Sequence, residues 1–161
     1  MKRIINRLNS KLCTVFATLC LFTACNSNVL VEETRTIDNK VWDNQIISFE
    51  FDIQDTVSTY DIVLEVEHDT EFPFQNIYTE VTVTFPDATP QRVMPVSIDL
   101  ADDLGNWIGK CSGQKCITPL AFMTNTKFIA LGKHGLTFKQ FSRLPQIEGI
   151  SKLRLKLIRL D

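Results

Sequence analysis

The chain has 161 residues, with 17 Lys+Arg against 19 Asp+Glu, a formal net charge of −2 and 44% hydrophobic residues. That balance lacks the clustered positive charge that nucleic acid needs. The length leaves room for one domain with a single core rather than two comfortable ones.

Residues 1–11 carry Lys2, Arg3, Arg7 and Lys11 with no acid, and residues 12–24 follow without a charge. A basic stretch and then a short apolar one is the layout of a signal peptide, predicted here over residues 1–24; a membrane-spanning helix would need about 20 apolar residues. Thr23 and Ala24 stand directly before Cys25, with Leu21 and Phe22 behind them. This is the form of a bacterial lipobox, in which small residues fit the lipoprotein signal peptidase and the thiol that follows takes diacylglycerol. Cys25 is therefore the expected lipidation site and first mature residue. The alternative is an ordinary secretory signal in which Cys13, Cys20 and Cys25 are merely small apolar residues. Buried acyl methylenes contribute about 0.8 kcal/mol each, so the first expected partner is a membrane, reached through the N-terminal lipid. Loss of four basic residues with the signal takes the net charge to about −6, which again argues against nucleic acid.

Residues 26–40, NSNVLVEETRTIDNK, are polar, contain no Gly or Pro and show no clear period. They read as a tether, so that residues 25–40 form a lipidated cysteine with a polar spacer and residues 41–161 form the folded body.

In the body the apolar period is two. Phe49, Phe51 and Ile53 alternate with Glu50 and Asp52; Tyr60, Ile62, Leu64 and Val66 alternate with Asp61, Glu65 and Glu67; Ile77, Val81, Val83 and Phe85 follow, and Leu153, Leu155 and Leu157 alternate with Lys152, Arg154 and Lys156. These are half-buried antiparallel strands. Further strands are predicted around Val93–Leu100, Leu120–Met123, Phe128–Leu131 and Leu136–Phe141, between turn clusters such as PDATPQ, DDLGN, SGQK and GKHG. About seven or eight strands without a helical stripe predict an all-β antiparallel sandwich, jelly-roll or immunoglobulin-like. The Lys152, Arg154 and Lys156 stripe reads as a solvated face that protects the last strand as a sheet edge.

Cys111 and Cys116 bracket SGQK and persist in an oxidising compartment, so a small-loop disulfide is the favoured reading, with free buried thiols as the alternative. A metal site there lacks a second Cys pair or a nearby His. His68 and His134 have no nucleophile elbow, H-E-x-x-H or phosphate loop to work with, so no catalytic residue and no cofactor is expected. Asp99, Asp102 and Asp103 lack the calcium-loop order and read as a turn held by an Asx hydrogen bond. Trp42, Trp107, Tyr60 and Tyr78 are the candidate partner or ligand surface, against the favoured reading of the tryptophans as core or interface plugs.

Several features taken in order resemble the gliding-motility lipoprotein GldH family of the Bacteroidota. They are Trp42 before Phe49 and Phe51; Tyr60 leading into VLEVEH; FPFQNIY from Phe72 to Tyr78; the D-x-x-G-x-W-x-G run of Asp102, Gly105, Trp107 and Gly109; and Arg143 before EGISKLRLKLI. The CSGQKC loop and QFSRL depart from the family pattern. The resemblance implies a non-catalytic envelope lipoprotein, an assembly or scaffold component of gliding or allied secretion machinery, whose partners are other envelope proteins. Surface-displayed lipoproteins of that phylum carry acids almost immediately after the cysteine, whereas here they begin at Glu32. The expected location is therefore the cell membrane or outer membrane, facing the periplasm. The alternative function is a carbohydrate-binding lipoprotein using an aromatic platform.

Overall fold

The computed structural model describes residues 28–87 and 89–160. The predicted signal peptide and Cys25 lie outside the described residues. Eleven strands follow in chain order: β1 Val29–Thr36, β2 Val41–Trp42, β3 Ile46–Ile53, β4 Tyr60–Asp69, β5 Asn76–Thr84, β6 Arg92–Asp99, β7 Lys110–Ser112, β8 Lys115–Thr126, β9 Gly132–Gln140, β10 Ile147–Glu148 and β11 Ile150–Arg159. A single 3-10 turn, Asp38–Lys40, lies between the first two.

The strands pair antiparallel into a five-stranded sheet, β1-β11-β4-β8-β7, a four-stranded sheet, β3-β9-β5-β6, and a short β10-β2 ladder. The two larger sheets form the all-β sandwich that the alternation predicts. Ile62, Leu64 and Val66 of β4 and Leu153, Leu155 and Leu157 of β11 point inward against Phe49, Phe51, Val81, Leu136 and Phe138 of the facing sheet. Each such side chain contributes roughly 1.5–3 kcal/mol when removed from water.

Three expectations are corrected. Residues 29–36 of the predicted tether are not a spacer but β1, in register with β11 from Val29 opposite Ile158 to Thr36 opposite Lys152. Its side chains are only half-buried or exposed, so what recruits this segment is backbone pairing along an otherwise open β11 edge rather than an apolar face. The folded body therefore includes residues 29–40 and does not start at Val41. It follows that β11 is an interior strand, and its basic stripe is engaged rather than free: Lys156 and Arg154 hold Glu65 at 2.6 and 3.2 Å, and Lys152 holds Glu67 at 3.2 Å. Finally, residues 128–131 are a loop, and GKHG belongs to β9. Gly135 marks a close approach between strands, since a Cβ there would collide with Thr84 Oγ1.

The register defines two ends. At one, Arg159 N–H donates to the Asn28 carbonyl, Leu160 N–H to the Thr59 carbonyl, and Ile53 pairs with Gly132. The start of β1 and the β3–β4 and β8–β9 loops meet there. The opposite end carries the β4–β5, β6–β7 and β9–β10 connections and the β7–β8 hairpin.

Candidate functional site

The wall of that opposite end is built by the D-x-x-G-x-W-x-G run. Asp102 Oδ1 accepts from the Leu104 and Asn106 backbone N–H groups at 3.0 and 2.8 Å, and Oδ2 accepts from the Asn106 side-chain amide at 3.0 Å. The bonds from Asn106, its side chain foremost, hold the Asp102 carboxyl below the usual carboxylate range. Gly105 sits at φ +83°, the left-handed conformation this tight loop needs. Trp107 donates its indole N–H to the Thr70 carbonyl at 3.2 Å, and its ring lies 4.6 Å from that of His68. A Cβ on Gly109 would meet the Ile117 carbonyl and Thr118 Oγ1, with the Ile117 carbonyl carbon at 2.6 Å. Each of the four residues thus has a packing or turn role.

His68 is fully buried, with Nδ1 2.9 Å from the Asp69 carbonyl oxygen and Nε2 3.3 Å from Thr118 Oγ1. Burial pushes its pKa down, keeping the imidazole neutral. His134 is buried against Phe51 and Phe128, with Nε2 3.0 Å from the Ala130 carbonyl oxygen. Among the described residues no group of three or more His, Cys, Asp or Glu could hold a metal ion.

Toward the same end lies a groove of about 680 Å³ between the β4–β5 and β9–β10 connections. Phe74, Tyr78, Phe141 and Leu144 line it while remaining 40–56% exposed. The floor is Ile77 and Ile147, both buried. The 141–146 loop is fixed by Phe141 N–H to the Tyr78 carbonyl (2.9 Å), Gln140 Nε2 to the Leu144 carbonyl (2.8 Å) and Ser142 N–H to Gln140 Oε1 (2.7 Å). Arg143 also lines the groove and has no hydrogen bond or ion pair among the described residues. An adjoining cleft of about 540 Å³ shares Phe74, Leu144 and Ile147 and is crossed by the Lys40–Asp69 ion pair at 2.8 Å.

Of the aromatic residues picked out in the sequence, only Tyr78 lies in the groove. Trp42 and Tyr60 are buried, which corrects their reading as surface: Trp42 donates to the Gln45 carbonyl at 2.9 Å and Tyr60 to the Asp55 carbonyl at 2.7 Å, so both plug the core with their polar tips satisfied. Trp107 is half-buried in the wall. No platform of these four rings exists for a sugar to stack on. Cys111 and Cys116 lie opposite each other across the β7–β8 hairpin and are joined as a disulfide, with Cα atoms 4.0 Å apart. Phe141 and Leu144 are groove residues that sequence reasoning did not choose, and Phe74 and Arg143 entered it only as parts of the family resemblance. An aromatic at the end of a strand pattern, as Phe141 is, was the available signal.

Residues 29–157 match the GldH lipoprotein family. The chain belongs to that family. A gliding motility lipoprotein GldH homolog from Christiangramia forsetii is 22% identical over 153 residues, covering 89% of this chain and 92% of that relative. Among solved structures, a chain from the infectious bursal disease virus Gx strain superposes with a TM-score of 0.36 and 13% identity, over 80% of this chain and 32% of the viral one. Membership of a lipoprotein family implies membrane association. Among the described residues, no helix is long and apolar enough to cross a membrane. The match runs from the first residue of β1 into β11, so residues 29–40 of the segment read as a tether fall within the family match.

Proposed function

We propose that this GldH lipoprotein is a non-catalytic scaffold of the gliding-motility or allied secretion machinery, anchored by lipid on Cys25 and docking an envelope protein in the Phe74–Tyr78–Phe141 groove. The observation that carries the reading is the pairing of exposed rings with an unpaired guanidinium, Arg143, over a buried apolar floor. Tyr, Phe and Arg around a desolvated centre are the composition from which protein interfaces draw most of their energy. Both ring nitrogens of His68 and Nε2 of His134 are taken up by structural contacts, which favours a binding role over a catalytic one. The relative from Christiangramia forsetii, named for gliding motility, supports the process. The delayed acids after Cys25 support a cell-membrane or outer-membrane anchor facing the periplasm.

The test is photo-crosslinking in cells with a phenylalanine analogue placed at Phe141, and at Val57 on the opposite end as control. A defined envelope protein should be captured from Phe141 but not from Val57, and Arg143→Glu should abolish capture. Equal capture from both sites would refute the assignment of the groove.

A further inference from the structure

The start of β1 limits how far the domain can stand from a lipid on Cys25. β1 begins at Val29, and Arg159 N–H ties Asn28 into the sheet at 2.8 Å. Between Cys25 and Asn28 there are three peptide steps, which span at most about 11 Å even when fully extended. A lipid on Cys25 would therefore hold the end of the sandwich carrying Asn28 at the bilayer surface, with no spacer to lift it away.

That same end carries exposed apolar tips on two neighbouring loops. Ile129 is 92% exposed and Leu131 60%, both in the β8–β9 loop, and Val57 is 80% exposed in the β3–β4 loop. Leu160 is also exposed, beside the latter loop through its hydrogen bond to Thr59. Val57 is fixed in place: Asp55 Oδ1 accepts from its backbone N–H at 2.7 Å, and Oδ2 from Ser58 Oγ at 2.6 Å. The tips belong to loops on both sheets, so together they define a seat rather than a point. The charges among them are mixed, with Lys127 and Arg159 against Asp55 and Asp87, so contact there would be apolar rather than driven by anionic lipid.

We infer that this end of the sandwich is a membrane seat, in which Val57, Ile129 and Leu131 enter the interfacial layer of the bilayer that holds the Cys25 lipid, leaving the groove on the far side facing away from it. The inference rests on the lipid-anchor part of the proposed function and adds the orientation that part does not contain.

The test uses the full lipidated protein in vesicles of brominated phosphatidylcholine. Tryptophan is introduced at Ile129, at Val57 or, as control, at Leu104, which is 87% exposed on the far end. Native Trp42 and Trp107 both lie toward that far end and supply an unquenched background. After that background is subtracted, emission of the introduced ring in Ile129→Trp and Val57→Trp should be about two-fold lower than in Leu104→Trp, as expected for rings a few ångströms into the interface. The difference should persist at high salt. Equal quenching at all three sites, or none, in protein whose intact mass includes the lipid overturns the seat and leaves the anchor standing. A mature mass without lipid on Cys25 overturns both.

Discussion

Glu67 is the residue whose removal the structure prices most directly. Its carboxylate lies across the outer face of the five-stranded sheet, bridging three strands: Lys115 of β8 at 2.6 Å, and Ser151 Oγ at 2.7 Å and Lys152 at 3.2 Å, both on β11. Burial by itself would raise this carboxyl, but the hydrogen bonds from Lys115, Ser151 and Lys152 together outweigh it and bring the pKa down to about 2 from an ordinary 4.5. A shift of this size is worth about 3 kcal/mol in the preference for the ionised form. The lysine side chains are 46% and 37% exposed, so solvent screening reduces the expected loss for Glu67→Gln to about 2 kcal/mol. The sign follows from the lowered folded pKa: the contribution is fully present above about pH 4.5 and is lost as pH falls toward 2. Chemical denaturation of the lipid-free Cys25→Ser protein at a series of pH values reads both effects. Wild type should lose stability between pH 5 and 3 more steeply than Glu67→Gln. Parallel pH profiles, or a difference under about 0.5 kcal/mol at pH 7, would refute the argument that Glu67 clamps the three strands.

The remaining predictions concern the far end of the sandwich. Replacing Cys111 and Cys116 together by serine should cost about 2 kcal/mol, the loop-closure value for so short a loop, read as a shift in denaturation midpoint that reductant reproduces in wild type. Gly109→Ala should destabilise by about 2–3 kcal/mol, because the Ile117 backbone, which cannot swing aside, stands with Thr118 Oγ1 where the methyl must go; calorimetry would show it, and an unchanged melting temperature would contradict the crowding. His68 is held neutral by burial, so acidification below about pH 6.5 should cost stability that a His68→Gln variant does not lose in that range. Tyr78→Ala and Arg143→Ala should leave melting within about 0.5 kcal/mol of wild type, since both are exposed, while weakening capture of the partner in the crosslinking assay.

Strands with one buried face were legible because their side chains alternate without help from neighbours. β3, β4 and β11 run apolar residues along their inward phase, and β5 does so with Thr79 as its one polar inward residue, and a slip by one residue would turn that whole set outward. β1 was illegible for the converse reason. Its side chains Glu33, Thr34, Arg35 and Thr36 carry no apolar period, and it is held by backbone pairing with a strand more than a hundred residues later. GKHG misled because glycine signals turns locally, while at Gly135 it answers a contact with Thr84 on the adjacent strand. In both cases the deciding partner is distant in the chain.

The site was harder still, because an aromatic residue reads the same in sequence whether it fills the core or lines a groove. Tyr60 and Tyr78 both sit in alternating strands, yet Tyr60 is 1% exposed and Tyr78 51%. Within each strand parity separates them: Tyr60 shares the inward phase of Ile62 and Leu64, whereas Tyr78 falls opposite to Ile77 and Val81. An aromatic on the polar phase of a strand is the anomaly that carries information, because an outward position does not need a large ring for the core. Phe141 is the same kind of anomaly, standing one residue past β9 where alternation has ended. What parity cannot supply is that these two residues line one groove, since that depends on β9 pairing with β5 and on Phe141 donating its N–H to the Tyr78 carbonyl. The groove exists because non-local strand pairing brings two locally unexplained residues together, at the end of the fold farthest from the start of β1.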